Sequence, residues 1–240
     1  KQEGIKVFEL GGVEANPKVS LVREGIKLAR ENQVEMILAV GGGSVIDSSK
    51  AIACGYYLNS DPWLLNAHEI KPTKALPIGV ILTISAAGSE LSNSCVITND
   101  ETKVKSGFNN DIVRPLFSIM NPELTFTVSR FQTGCGIVDI MMHTMERYLT
   151  NVGNNEFASR IAEGLLKAVI SAGKIAIEEP ENYEARATLM IASSFSHNGL
   201  TGLGSKMYFT VHKLEHEISG TFDYVAHGAG LSVLFLAWAK

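Results

Sequence analysis

Asp139 and His143 stand four residues apart in a mainly apolar run, Gly136 to Met145, and so share one face of any helix formed there. His212 and His216 repeat that spacing, and His227 follows after a short stretch of turn-forming residues. Four of the chain's six histidines fall in these two runs. Neutral imidazole nitrogen together with carboxylate oxygen is a donor set for a divalent metal such as Fe2+ or Zn2+. Each histidine alone reads equally well as a surface or core residue. Asp139 is different, because a carboxylate among Ile137, Val138, Ile140, Met141 and Met142 needs a partner. Spacing leaves open which of His212, His216 and His227 complete the site, and the HxxxH pattern favours His212 with His216. Glu146, Glu215 and Glu217 read as solvated helix faces rather than as acceptors for ligating histidines.

A second chemical feature is the glycine turn Gly41-Gly42-Gly43-Ser44, set between a short apolar run (Met36–Val40) and a helical pattern that takes in Asp47. Glycines admit a ligand close to the backbone, and a helix start offers unpaired N–H groups, which together suit a phosphate or pyrophosphate. The plain alternative is a tight turn with Ser44 as the helix cap. A polar loop from Thr83 through Ser85 to Glu90 ends the next strand-like run and adds hydroxyl and N–H donors at the same sheet edge.

The elements that must position these groups divide the chain at about residue 122. Before it, Ile5–Leu10, Met36–Val40, Leu76–Ile84, Cys95–Thr98, Lys105–Phe108 and Leu116–Met120 read as strands, and Pro17–Asn32 and the segment from Ser44 to Tyr56 read as helices. Short continuous apolar runs predict strands buried on both faces of a parallel sheet. After it, helices are expected over Phe131–Leu149, Glu156–Ile177, Tyr183–Asn198, Phe209–Ile218 and Ala229–Trp238, with Asn154-Asn155, Pro180 and Gly199–Gly204 between them. The reading is therefore α/β: an incomplete Rossmann-like dinucleotide-binding segment (1–121) followed by an all-helical metal-binding domain (122–240). The start at Lys1 close to a strand pattern, and the end inside an apolar helical pattern, lead us to expect a longer chain on both sides.

Composition narrows the function classes. With 240 residues, 45% of them apolar and 19% charged, the chain is long enough to bury a sizeable core. A net charge of −4 and the lack of a basic stripe argue against nucleic acid or an anionic membrane as partner. Cys54, Cys95 and Cys135 are scattered, form no CxxC, and read as small buried side chains of a reducing compartment, so the cytoplasm is the expected location.

The residues also carry a resemblance. Phe8 to Pro17, Gly41 to Asp47, Ala87 to Glu90, Asp139 to Tyr148, and His212 to Glu217 with Ala226 to Gly230 are similar to the iron-containing (group III) alcohol dehydrogenases, in the branch of NADPH-dependent butanol dehydrogenases and aldehyde reductases. The resemblance implies hydride transfer between NAD(P)H, with NADP(H) favoured, and a small aldehyde or primary alcohol such as butanal or butanol. It implies a site in the cleft between an α/β domain and a helical one, and a homodimer or larger assembly. By this resemblance the metal ligands are Asp139, His143, His212 and His227, and His216 becomes a pocket residue in place of a ligand. Gly41, Gly42, Gly43, Ser44 and Asp47 would hold the cofactor's pyrophosphate side, and Thr83, Ser85, Ser92, Ser94, Val96 and Lys105 would contact the cofactor. The family's opening strand and helix would precede Lys1. The stretch from His216 to His227 is one residue longer than usual, through Asp223-Tyr224-Val225, and Tyr208-Phe209 replaces a frequent tryptophan. The alternatives are a polyol dehydrogenase on the same scaffold and a truncated, non-catalytic metal-binding fragment.

Overall fold

The computed structural model describes residues 4–150, 153 and 155–240. Helix α1 (Val19–Glu31) leads to strand β1 (Ile37–Gly41), helix α2 (Gly43–Gly55), a short helix α3 (Trp63–Asn66) and strand β2 (Ile78–Leu82). Strands β3 (Ser94–Asn99), β4 (Val104–Asn109) and β5 (Phe117–Ile119) complete the α/β part. β1, β2 and β5 form a parallel sheet in that order, whereas β3 and β4 pair as an antiparallel hairpin apart from it. The β1–β2 register sets Gly41 against Leu82, so the loops that follow the two strands leave the sheet at one edge. Thr83 N–H donates to the Gly41 carbonyl at 3.1 Å and extends that pairing into the loops.

Helix α2 lies between the sheet and the hairpin, which explains its burial nearly all round. One side packs Ile46 and Ala53 on Ala39, Ile78, Val80 and Leu82 of the sheet; the other packs Ala51, Ile52 and Cys54 against α1 and β3. α1 presents Val19, Val22, Ile26 and Ala29 at helical spacing to that core, as its pattern predicts.

Two expectations fail in this half. The Ile5–Leu10 run forms no strand, and among the described residues no strand pairs with it; its apolar side chains stand exposed. β1 is not buried on both faces: Ala39 is covered by α2, but Leu38 is 51% and Val40 56% exposed, and Phe117 and Ile119 of β5 are exposed as well. The described residues cover that sheet on the α2 side only.

The helical half comprises α4 (Arg130–Tyr148), α5 (Glu156–Glu178), α6 (Tyr183–His197), α7 (Thr210–Thr221) and α8 (His227–Trp238). Ser129, Asn155 and Asn182 cap the starts of α4, α5 and α6 by accepting backbone N–H bonds. Asn154, expected between helices, lies outside the described residues. Ile140, Val169, Ala172, Ala176, Ala185, Leu189 and Ala192 join α4, α5 and α6 in one core. Met142, Val211 and Leu231 join α4, α7 and α8 in a second, smaller one. His227 opens α8 instead of preceding it. Among the described residues no helix is long and apolar enough to cross a membrane.

Candidate active site

α4 carries Asp139 and His143 inward on one face, both buried. His143 Nδ1 and His212 Nε2, the latter from the first turn of α7, each stand 3.4 Å from Asp139 Oδ1. His227 Nε2 stands 3.7 Å from the same oxygen. Donors arranged tetrahedrally at about 2.1 Å from one metal are about 3.4 Å apart, so these separations suit a single small cation. Asp139 Oδ1, His143 Nδ1 and His212 Nε2 are buried without a hydrogen-bond partner, a costly arrangement unless something else satisfies all three. The residues therefore fit a divalent metal. Donor atoms of Asp139, His143 and His212 all lie within 4.8 Å of one another; His227 stands outside this trio and its side chain is 26% exposed. His216 is not in the trio either; it groups with Glu215 and His227, its ring 5.6 Å from that of His227. The HxxxH pair is thus not brought to the carboxylate together.

Glu146 and Glu215 overturn the solvated-face expectation, for both are buried. His212 donates from Nδ1 to Glu146 Oε2, and His227 donates from Nδ1 to Glu215 Oε2. Each carboxylate fixes the ring's tautomer and leaves Nε2 with a free lone pair towards Asp139. Glu146 also accepts the N–H groups of Val211 (2.7 Å) and His212 (3.2 Å) at the start of α7, a helix with no side-chain cap of its own. A sequence signal for these partners exists: His143-x-x-Glu146 and His212-x-x-Glu215 both place a carboxylate three residues after a candidate ligand. On a helix that spacing puts the histidine and the carboxylate on one face, and each Glu serves a histidine further along the chain, Glu146 serving His212 and Glu215 serving His227. Glu217 is exposed, as expected.

Electrostatics favour neutral imidazoles at most of these positions. Burial, with neighbouring cationic groups, holds His143, His197 and His216 well below the ordinary imidazole range, and burial with the Lys105 charge pushes His227 down to about 3. His212 is the exception: burial opposes its protonation, but the nearby Asp139 carboxylate and the bonded Glu146 outweigh that and raise it. His197 lies beside the site, its ring 4.0 Å from that of His143, and Arg147 donates to its Nδ1 at 3.1 Å. Arg147 also donates to the His143 and Ser196 carbonyls and covers the Phe209 ring at 4.6 Å. Phe209 in turn meets His212 edge-on at 5.3 Å and so lines this wall, whereas Tyr208 is exposed.

The glycine turn meets the polar loop as its position at the sheet edge predicts. Gly42, not Ser44, is the N-cap of α2, and it supplies no side-chain cap, which leaves the helix start open to an anion. A Cβ on Gly42 would overlap Ile84, and one on Gly43 would sit 3.0 Å from Ala87, so the absence of side chains lets the two loops abut. The polar loop then reaches α4: a Cβ on Gly136, one turn before Asp139, would overlap the Ser85 carbonyl. Thr83 and Ser85 are partly buried within this loop, and the Ser85 hydroxyl has no partner.

Other expected cofactor contacts are engaged inside the protein. Asp47 accepts from the Ser89 hydroxyl and from Val96 N–H (2.8 Å), and so braces the loop between β2 and β3 from below. Lys50, one turn further along α2 and fully buried, donates to the carbonyls of Ser89 (2.7 Å), Ser92 (3.0 Å) and Ser94 (2.8 Å) and to the Ser89 hydroxyl (2.9 Å). Burial lowers its pKa against the pull of Asp47. Lys105 donates to Asn16 Oδ1 and Ser219 Oγ, both at 2.9 Å, and stands 3.6 Å from Glu215 Oε2.

Comparison with known proteins gives a consistent result. Residues 1–122 match the family model described as iron-containing alcohol dehydrogenase, and residues 133–240 match the C-terminal model of the same family. NADH-dependent butanol dehydrogenase A of Clostridium acetobutylicum is 47% identical over 240 residues, which is 100% of this chain and 61% of that protein. NADPH-dependent aldehyde reductase YqhD of Escherichia coli is 40% identical over 222 residues, 90% of this chain and 57% of that one. The crystal structure of NADH-dependent butanol dehydrogenase A from Thermotoga maritima superposes with a TM-score of 0.96 at 39% identity, over 99% of this chain and 59% of that one. The chain spans about three fifths of the length of these relatives.

Proposed function

The chain belongs to the iron-containing alcohol dehydrogenase family, and on that premise we propose that it carries the metal centre and part of the nucleotide site of an enzyme that interconverts a small aliphatic aldehyde and its primary alcohol. The observation that carries the reading is the convergence of His143, His212 and His227 on Asp139 Oδ1 at 3.4–3.7 Å, beside a loop shared with the glycine turn. When bound, a divalent metal supplies Lewis acidity to the oxygen of aldehyde or alcohol, and a nicotinamide nucleotide supplies or takes the hydride.

In this reading Asp139, His143, His212 and His227 hold the metal, and Glu146 and Glu215 keep two of the rings aimed at it. Gly41–Ser44 and the start of α2 receive the pyrophosphate through backbone N–H groups. Thr83 and Ser85 lie where the polar loop joins that turn to α4 and orient the nucleotide towards the metal. Ser92, Ser94, Val96 and Asp47 act from behind, by fixing the loop that faces the nucleotide. His216, neutral and partly buried next to His227, carries the substrate's hydroxyl proton in this reading. The NADP(H) preference stands against one relative named for NADH at 47% identity and one named for NADPH at 40%. The homo-oligomer and the cytoplasmic location belong to the same proposal, the latter supported by three free cysteines.

The test is anaerobic reconstitution with Fe2+ or Zn2+, metal analysis, and butanal reduction with NADH and NADPH side by side. Asp139→Ala and His143→Ala are expected to lose both bound metal and turnover. Full turnover by the metal-free double variant would refute the assignment.

A further inference from the structure

The ligand His227 is the least committed of the four, partly exposed and outside the tight trio. Its position depends on the segment from α7 through Phe222–Ala226, and that segment is tied to the α/β part at three places. Lys105, on β4, reaches Ser219 and Glu215 of α7. Asn16, buried and in a left-handed conformation (φ 54°), accepts from Lys105 and donates from Nδ2 to Asp223 Oδ1 at 3.2 Å. Lys18 pairs with the Asp223 carboxylate. The packing permits this approach only because small residues stand at the contacts. A Cβ on Gly220 would come 2.6 Å from the Lys103 carbonyl of the β3–β4 turn, and a Cβ on Gly230 would come 2.9 Å from Glu215 Cγ.

We propose that Asn16, Lys18 and Lys105 of the α/β part, through Glu215 and Asp223, are positioning residues for His227, so that the α/β part governs how firmly the helical part keeps its metal. Lys105 is then an internal strut of the metal centre as well as a residue at the boundary of the two parts. The buried Lys105 side chain, 3.6 Å from Glu215 Oε2, holds that oxygen in place, and the same oxygen holds the His227 ring; the Asp223 contacts hold the loop that delivers it. The inference rests on the reading of Asp139, His143, His212 and His227 as ligands.

The experiment is chelator challenge of the metal-loaded protein, following the release half-time, together with the visible ligand-field bands of the Co2+-substituted form. Lys105→Met and Asp223→Ala are expected to shorten the half-time about ten-fold, the scale usual for loss of a partner behind a ligand. Both should also alter the Co2+ bands. In a Glu215→Ala background Lys105→Met should add little, because it acts through that carboxylate. Asp223 has an exposed side chain, so its variant tests the latch without emptying a core. Release at the wild-type rate from both single variants, with Asp139→Ala metal-free, would overturn the latch and leave the ligand assignment standing. Metal retention by Asp139→Ala would bring down the ligand assignment, and the latch with it.

Discussion

Replacing Glu146 with alanine removes a group with two jobs, and its cost follows from the bonds it makes. Glu146 accepts the Val211 and His212 backbone N–H groups and the His212 Nδ1–H. All three donors are buried, and hydrogen bonds to a charged partner contribute about 1.5–3 kcal/mol each. Water entering the vacated space recovers part of this, so we expect a net loss of about 3–5 kcal/mol in the metal-free protein. For a chain of this size that corresponds to a melting point lower by roughly 10 °C. Metal affinity should fall separately, by about 10–100-fold, because the His212 ring loses the partner that fixes its tautomer. Glu146→Gln retains one acceptor oxygen and the side-chain volume, and should lose about half as much stability. The assay is urea unfolding of both variants in excess chelator, followed by metal competition titration of the folded proteins. A Glu146→Ala variant within about 0.5 kcal/mol of wild type, a change ordinary for a surface site, and with unchanged metal affinity would refute the double role.

Two further outcomes follow from the site. Gly42→Ala places a methyl group against Ile84 and pushes the glycine turn away from the polar loop, so nucleotide affinity should drop at least ten-fold in a fluorescence titration while metal content stays at the wild-type level. Thiol titration at pH 8 should modify only Cys135 in the native protein and all three cysteines in urea: burial pushes Cys54 up to about 12 and Cys95 well above its usual value, and both are fully covered, whereas Cys135 is partly exposed. Rapid native-state labelling of Cys54 or Cys95 would show that the α2 core opens more readily than its packing implies.

The sequence made the helical half readable because α4, α5 and α6 bury long apolar stripes, and their starts carry Ser129, Asn155 and Asn182 as caps. β1 and β2 were readable from uninterrupted apolar runs, but such runs do not say what covers each face, and Leu38 and Val40 are uncovered among the described residues. Ile5–Leu10 has the composition of a strand, but among the described residues no strand pairs with it. The β3–β4 pairing was hidden too, because strand composition carries no direction. At the site, the i, i+4 pair Asp139 and His143 lies together, whereas His212 and His216 fall into different side-chain groups, since two residues on one helix face need not point at the same third group. Glu146 and Glu215 looked like ordinary solvated positions beside Arg147 and Lys213; only tertiary packing buries them. Asn16, Lys18 and Asp223 lie more than 200 residues apart in places, and nothing local marks them as partners.

The buried ammonium of Lys50 has a consequence for ligand binding. Three carbonyls and a hydroxyl from residues 89–94 converge on it, and Asp47 secures the same stretch from the adjacent turn of α2. The loop therefore has its shape before a ligand arrives, held by a charge that never reaches the surface. A ligand at that edge would lose little affinity to ordering the backbone it meets, where immobilising each mobile side chain would otherwise cost about 0.5–1.5 kcal/mol. Rigidity there is installed from the inside, by a residue that need not touch the ligand at all.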